Sequence, residues 1–206
     1  MKEASNQKLV KAFWFYGKLI NASQSIFCIR RTHNFVVHSV DDLKRFDHQL
    51  KFRFIPITYD NYHRVGEFRA SYRILDYGER LARKEIGYFA EEDGKIIGSI
   101  WAILNKAEKP RVLRTFMVLM PNEALVYDAI TAVKYRRQGI GLFMAIGIVS
   151  ELSKKYGVSS ITADVLPGNR SSLGMLDKLG VHVDHSVTAV VVFGRVIFRR
   201  IYKRSS

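Results

Sequence analysis

The chain has 206 residues, enough for one sizeable domain or two small ones, and its 48% hydrophobic and 25% charged residues are an ordinary globular balance. Its single cysteine, Cys28, excludes an intrachain disulfide and any zinc site built from several cysteines. The 33 Lys plus Arg against 19 Asp plus Glu give a net charge of +14, which favours phosphate-bearing or polyanionic partners such as nucleic acid, an anionic membrane surface or a phosphorylated small molecule.

Residues 2–22 read as a helix with a bulky face of Leu9, Phe13, Tyr16 and Ile20. The apolar run AFWFYGKLI within it follows Lys11 and is interrupted by Lys18, too short to span a bilayer and a poor signal-peptide core, so a soluble, cytoplasmic chain is expected. SIFCIRR and FVVH are two short runs of strand character, and KFRFIPIT alternates like a strand. Asp60 stands where a cap would precede one or two helices rich in Arg and Glu. IGYFAEEDGKIIGSIWAIL reads as a hairpin turning at Glu91-Glu92-Asp93-Gly94. A basic stretch follows, then TFMVLM, a Pro121-Asn122 turn and the long apolar strand ALVYDAITAV.

From Gly139 the positions Leu142, Ile146, Val149, Leu152 and Tyr156 keep a helical spacing, with Gly157 as a C-terminal stop. VSSITADVL is a strand, Pro167-Gly168 a turn, and Asn169 a cap for a helix ending at Gly180. Two long strands bent at Gly194 close the chain. The expected architecture is mixed α/β, a largely antiparallel sheet containing one strand, helix, strand crossover. An N-terminal extension is assigned to residues 1–50 and a single domain to 51–206.

The segment YRRQGIG, between a strand and a helix, carries the clearest chemistry. The first amides of a helix lack intrahelical partners, and the helix dipole adds partial positive charge there. Gly139 and Gly141 remove side chains from the approach, and Arg136 and Arg137 raise the local potential, so a pyrophosphate is the fitting ligand. The dinucleotide fingerprint fails because its third glycine position is Met144, and no Gly-Lys-Ser/Thr is present for a phosphate-binding loop of the nucleotide triphosphatases.

R-x-x-G-x-G (Arg136, Gly139, Gly141), followed by helix, strand and N-x-x-S-x-x-x-L-x-K-x-G (Asn169, Ser172, Leu176, Lys178, Gly180), resembles the coenzyme A site of the GNAT acyltransferase superfamily. The resemblance covers roughly residues 86–202 in element order. It implies a mixed, mostly antiparallel sheet of six or seven strands with flanking helices, splayed in the middle around acetyl-CoA or another acyl-CoA. By it, the amides of Arg137, Gln138, Gly139, Ile140, Gly141 and Leu142 hold the pyrophosphate, the backbone of Ile130, Thr131 and Val133 pairs with the pantetheine arm, and Asn169 reaches the same arm.

The implied reaction is direct transfer, in a ternary complex, of an acetyl or other short acyl group to an amine on a small molecule, an amino sugar or a protein. Many members of the family place a tyrosine as thiolate proton donor where this chain has Leu176. Asp164 is the first candidate base, with Asp128 and Tyr127 on the long strand as further catalytic candidates. In a regular strand the last two face opposite ways, so one of them looks into the cleft. His182 and His185, three apart on a strand, also face opposite ways, and no metal site is expected. A CoA-binding regulatory module on the same fold is the competing reading. Nucleic acid is disfavoured, because no single strand interleaves basic and aromatic residues as nucleic-acid-binding sheets do. The aromatic N-terminal helix, with Lys2, Lys8, Lys11 and Lys18, suits an anionic membrane surface, and a homodimer is compatible with the reading.

Overall fold

The structure, a computed structural model, describes residues 27–43, 52–113, 117–193 and 195–203. The expected helix at 2–22, Gly194 and Arg204 lie outside them. Ten strands and three α-helices make up the described chain: β1 (Phe27–Val37), β2 (Arg53–Pro56), α1 (Arg73–Ala82), β3 (Ile86–Glu92), β4 (Lys95–Leu104), β5 (Arg111–Leu113), β6 (Met117–Leu119), β7 (Glu123–Thr131), α2 (Ile140–Tyr156), β8 (Ser160–Val165), α3 (Arg170–Lys178), β9 (Val183–Val192) and β10 (Arg195–Lys203).

The main sheet has eight strands in the order β10-β9-β1-β8-β7-β4-β3-β2, and β5 and β6 form a separate two-stranded ribbon. All neighbouring pairs are antiparallel except β7 and β8, which the crossover through α2 makes parallel. This is the mixed α/β class expected, with more strands than six or seven. The additional strand is β1, which the alternation divided into two short runs. Its middle, Thr32 to Asn34, is polar yet lies within the sheet because partners are supplied there. His33 Nδ1 meets Ser186 Oγ at 2.8 Å, Asn34 Nδ2 meets His185 Nε2 at 3.0 Å, and Thr32 and Asn34 are buried. β1 pairs with β8 on one side and β9 on the other, so the boundary between 50 and 51 falls between two strands of one sheet.

The sheet is covered on both faces over its central strands, while β10 at one edge is largely exposed among the described residues. α2 and α3 bury Met144, Ile148, Leu152, Leu176 and Leu179 against Ile97, Ile100 and Ile161. On the other face α1 and the short 3-10 turn at Tyr62–Glu67 bury Tyr77 and Val65 against Phe89, Trp101 and Leu125. β4, between the two layers, is buried from Ile96 to Ile103, which explains its near-continuous apolar sequence. The hairpin forms as read: Glu92 lies opposite Lys95, and Asp93 (φ 48°) and Gly94 (φ 77°) supply the two left-handed residues of a type I′ turn. Asp60 is not the cap expected. Asn61 occupies that position and spends its side chain on Thr58 N and Pro56 O.

Glu67 ties the 3-10 turn to β4, accepting from Ile96 N at 2.8 Å while pairing with Arg64 at 2.7 Å. Burial alone would raise its pKa, but Arg64 and the Ile96 amide outweigh burial and hold it below its ordinary 4.5. A carboxyl held below its unfolded value stabilises the fold fully above that value and loses the contribution as pH falls through the folded one. Urea unfolding of the wild type is therefore expected to lose stability between about pH 5 and pH 3 more steeply than that of E67Q. Equal pH slopes in the two proteins would contradict this.

Candidate active site

β7 and β8 pair only from Glu123 opposite Ser160 to Val126 opposite Ala163. Beyond Val126 they part. On the other edge β7 stays paired with β4 as far as Thr131, but with a bulge: Trp101 faces Tyr127 and Ser99 faces Ile130, so Asp128 and Ala129 together oppose Ile100. Asp128 takes the left-handed conformation there, at φ 48°.

The bulge changes the expected facing of the strand. Arg80 pairs with Asp128 at 2.7 Å and lies 5.0 Å above the Tyr127 ring, so both side chains meet one guanidinium on the α1 side of the sheet. Arg69 also donates to Asp128, at 2.9 Å, and reaches the Tyr77 hydroxyl at 3.3 Å. Burial alone would lower the pKa of Arg69, but the charges of Asp128 and Tyr77 outweigh it and raise the net value. Arg80 stacks over Tyr77 and Trp101 as well, at 5.2 and 5.1 Å, while the Tyr77 hydroxyl meets Ser99 Oγ at 2.6 Å. Tyr127 donates its hydroxyl to Glu85, which also accepts from Arg83 at 2.8 Å. Arg69, Arg80 and Glu85 are functional-site neighbours that sequence reasoning missed. The only signal was Arg73, Tyr77 and Arg80 recurring at helical spacing.

The turn into α2 has the features expected of an anion site. Gly139 is the N-cap, left-handed at φ 84°, and its lack of a side chain leaves the first-turn amides without a side-chain cap. Arg137 is also left-handed, at φ 66°, and left-handed residues at alternate positions gather successive N–H groups round an anion. Arg136 is held toward β7, its Nε donating to Thr131 O at 3.3 Å. Gly141 has a packing role as well: a Cβ there would stand 3.1 Å from Met175 Sδ on α3. Ala132 N bonds Ile97 O at 2.8 Å on the β4 side, so strand alternation turns the Thr131 amide toward the gap left by β8.

In that gap lies a cavity of about 520 Å³ walled by β1, β7, β8, α2 and α3. It brings together Tyr127, Asp128, Asp164 and Asn169 of the sequence-predicted residues, together with Leu176 and, from β1, Arg30 and Thr32. Among the described residues of its wall none comes from 130–142; Ile130, Thr131, Val133 and the 136–142 turn are outside it. Asn169 Oδ1 accepts from Ser172 N at 3.2 Å, the cap read from the sequence. Leu176 is buried and part of the wall, to which it contributes only apolar surface.

A family model for the acetyltransferase (GNAT) family matches residues 52–181, more than half of the chain. The chain belongs to the GNAT acetyltransferase family. No curated protein gives a significant sequence match. Among solved structures, a GNAT-family acetyltransferase from Colwellia psychrerythraea superposes with TM-score 0.56 at 14% identity, covering 86% of this chain and 57% of its own. The glucosamine N-acetyltransferase region of a fungal multidomain β-N-acetylglucosaminidase gives 0.55 at 16%, covering 85% and 22%. AAC(6′)-Iy, in complex with the bisubstrate analogue CoA-S-monomethyl-acetylneamine, gives 0.51 at 17%, covering 75% and 99%. The chain spans roughly half to two thirds of the length of several such neighbours. At these identities the likeness concerns the fold.

In this GNAT chain Asp128 serves two mostly buried guanidiniums, whose side chains are each 11% exposed. Asp128→Ala leaves both without their carboxylate and is expected to cost about 2–3 kcal/mol, measured by urea unfolding. A loss below about 0.5 kcal/mol would mean that the cluster does not hold the bulge.

Proposed function

We propose that the chain transfers a short acyl group, acetyl in the simplest case, from a coenzyme A thioester to an amine within a ternary complex. The observation that carries this reading is the parting of β7 from β8 next to the uncapped, glycine-started N-terminus of α2. The gap suits a slender arm, and the helix terminus suits a diphosphate. In this reading the amides of residues 137–142 hold the pyrophosphate, with Arg136 and Arg137 adding positive potential. The Thr131 amide, turned toward the gap, pairs with the pantetheine arm as an added strand does, with Val133 next along the chain, whereas Ile130, opposite Ser99, has its backbone groups on the β4 side and is not part of that edge.

Of the three catalytic candidates, Asp164 is favoured as the base. It lines the cavity at the end of β8, whereas the Asp128 carboxylate and the Tyr127 ring lie against Arg80 on the α1 side of the sheet. The base takes a proton from the ammonium or the attacking amine, the amine forms the new C–N bond, and the thiolate leaves. With Leu176 lining the wall, the departing sulfur takes its proton from solvent or from the amine itself. Leu176 also favours the second reading, a module that binds CoA thioesters without transferring, on which no amine would be acylated.

Acetyl-CoA at about one hundred times its Kd is expected to stabilise the chain by about 2.7 kcal/mol, a rise in Tm of roughly 5–10 °C, and adenosine phosphates by less. No shift with acetyl-CoA would end the proposal. Thiol release with a panel of amines then separates transfer from mere binding. Asp164→Asn should lower kcat/KM by about a hundredfold or more while leaving the Kd of acetyl-CoA unchanged. An unaltered kcat/KM would remove Asp164 from the base role.

A further inference from the structure

A second cavity, of about 540 Å³, opens at the other end of the sheet, where the end of β4, the start of β3 and the C-terminal end of α2 meet. α2 has 17 residues, so at 1.5 Å per residue the two ends of this helix stand about 25 Å apart. The wall carries five cationic side chains from three segments: Arg83 and Lys84 from the turn between α1 and β3, Lys106 and Arg111 from the stretch after β4, and Lys155 from the last turn of α2. Against them stands one carboxylate, Glu85, which is already engaged by Arg83 and by the Tyr127 hydroxyl.

The cations are mounted on a fixed frame. Asn105, 1% exposed, donates to Lys109 O, Leu119 O and Met120 O at 3.0–3.1 Å and accepts from Ala107 N at 3.2 Å, which pins the loop bearing Lys106. Lys84 sits in a tight left-handed turn, φ 60°, its N–H bonded to Leu81 O at 2.9 Å. Lys106 and Lys155 both lie near the Tyr156 ring, their Nζ atoms 5.3 and 5.7 Å from its centroid, so two ammonium groups share one aromatic neighbour. The Tyr88 hydroxyl is spent on Glu151 at 2.7 Å, and burial together with that carboxylate raises its pKa, so it remains a neutral part of the wall.

Like charges gathered in a concave, preorganised wall repel one another, and an anion removes that repulsion while the concavity focuses the field on it. Arg83 is paired with Glu85 and Glu79, which leaves Lys84, Lys106, Arg111 and Lys155; Glu151, bonded to Tyr88 of the wall, and the partial negative charge of the α2 C-terminus, about half a unit, offset part of these four, and a cationic surplus remains. The apolar part of the wall, Tyr156 with Ile57, Ile103 and Leu104, adds a surface for the body of the ligand. We propose that this cavity is a second ligand site, distinct from the thioester site, for a small organic molecule of nucleotide size carrying two or more phosphates, its phosphates on Lys84, Lys106, Arg111 and Lys155 and its body on Tyr156.

The test uses the ¹⁵N-labelled full chain with one equivalent of CoA, titrated with ADP as probe at low salt and followed by amide NMR. Saturable shifts are expected at Lys84, Lys106 and Tyr156, and K106E/R111E should weaken them by about tenfold or more. The control K95E/R195E makes the same change in net charge away from the cavity and should leave them unaltered. Shifts confined to residues 137–142, no saturation by about 1 mM ADP, or equal weakening by the control would each overturn the site. Inorganic pyrophosphate is expected to bind about tenfold more weakly than ADP, and equal binding would overturn the role given to the apolar wall. A single-stranded oligonucleotide bound through the same cations more tightly than ADP would replace the small ligand with nucleic acid.

Discussion

The site depends on β7 ceasing to pair with β8 after Val126 while continuing to pair with β4. A sheet resists such a gap, because each unpaired amide and carbonyl forfeits a hydrogen bond that the neighbouring strand would supply. The bulge at Asp128 and Ala129 is where the chain accommodates it, at the cost of a left-handed non-glycine residue of about 1 kcal/mol. Two arginines from the α1 side converge on that residue, and one of them is packed against three aromatic rings. An ion pair of this kind has little net value for stability in itself, since both partners give up water. Its value is geometric: the carboxylate is in place only when the bulge is formed, so the pairing selects the splayed strand over a regular one.

That arrangement also explains why the site was only partly legible. Local signals sufficed where one or two residues decide the conformation. Asp93-Gly94 sets the hairpin, and Asn169 starts α3. Gly157 ends α2, left-handed, with its N–H on Ser153 O. The start of α2 was legible from Gly139 and Gly141, and the gap beside Thr131 was implied by the family resemblance that the two motifs carry. What escaped were features made by distant partners. Strict alternation separates Tyr127 from Asp128, and only the register against β4 reveals the extra residue that brings them to one guanidinium. β1 escaped for a related reason: its polar centre is acceptable in a sheet interior because Ser186 and His185 lie opposite. β5, inside a basic stretch, owes its strand to pairing with β6 rather than to its own pattern.

The large positive charge divides along the same lines. Arg64 reaches Glu67 and also Glu91 of β3, Arg69 and Arg80 reach Asp128 of β7, and Arg73 pairs with Asp76 of its own helix, so in the segment between β2 and β3 arginine mainly connects elements. Arg suits this use because its planar fork can serve an acid and an aromatic face together, as Arg80 does. At the α2 end of the sheet the cations are chiefly lysines, which give a mobile point charge rather than a fixed fork. Net charge therefore says less about function than does the type and placement of the cations. Arginines buried beside acids hold the scaffold, and lysines on a concave wall are left to meet an anion.

The same division bears on Leu176. A hydroxyl at that position would share the wall with the apolar side chains Phe35, Val149, Leu179 and Val181, and a buried hydroxyl left without a partner costs about 1–3 kcal/mol. The apolar side chain instead joins the contact between α3 and the sheet, where Gly141 lets α2 approach Met175 closely. Packing and proton donation thus compete for one position, and here packing has taken it. In the proposed transfer, a departing thiolate would take its proton from solvent at the open side of the cavity. Arg30 and Thr32, brought to the cavity by β1, add polar groups to its wall. The strand that was hardest to read therefore joins β8 and the start of α3 in giving the cavity its polar wall.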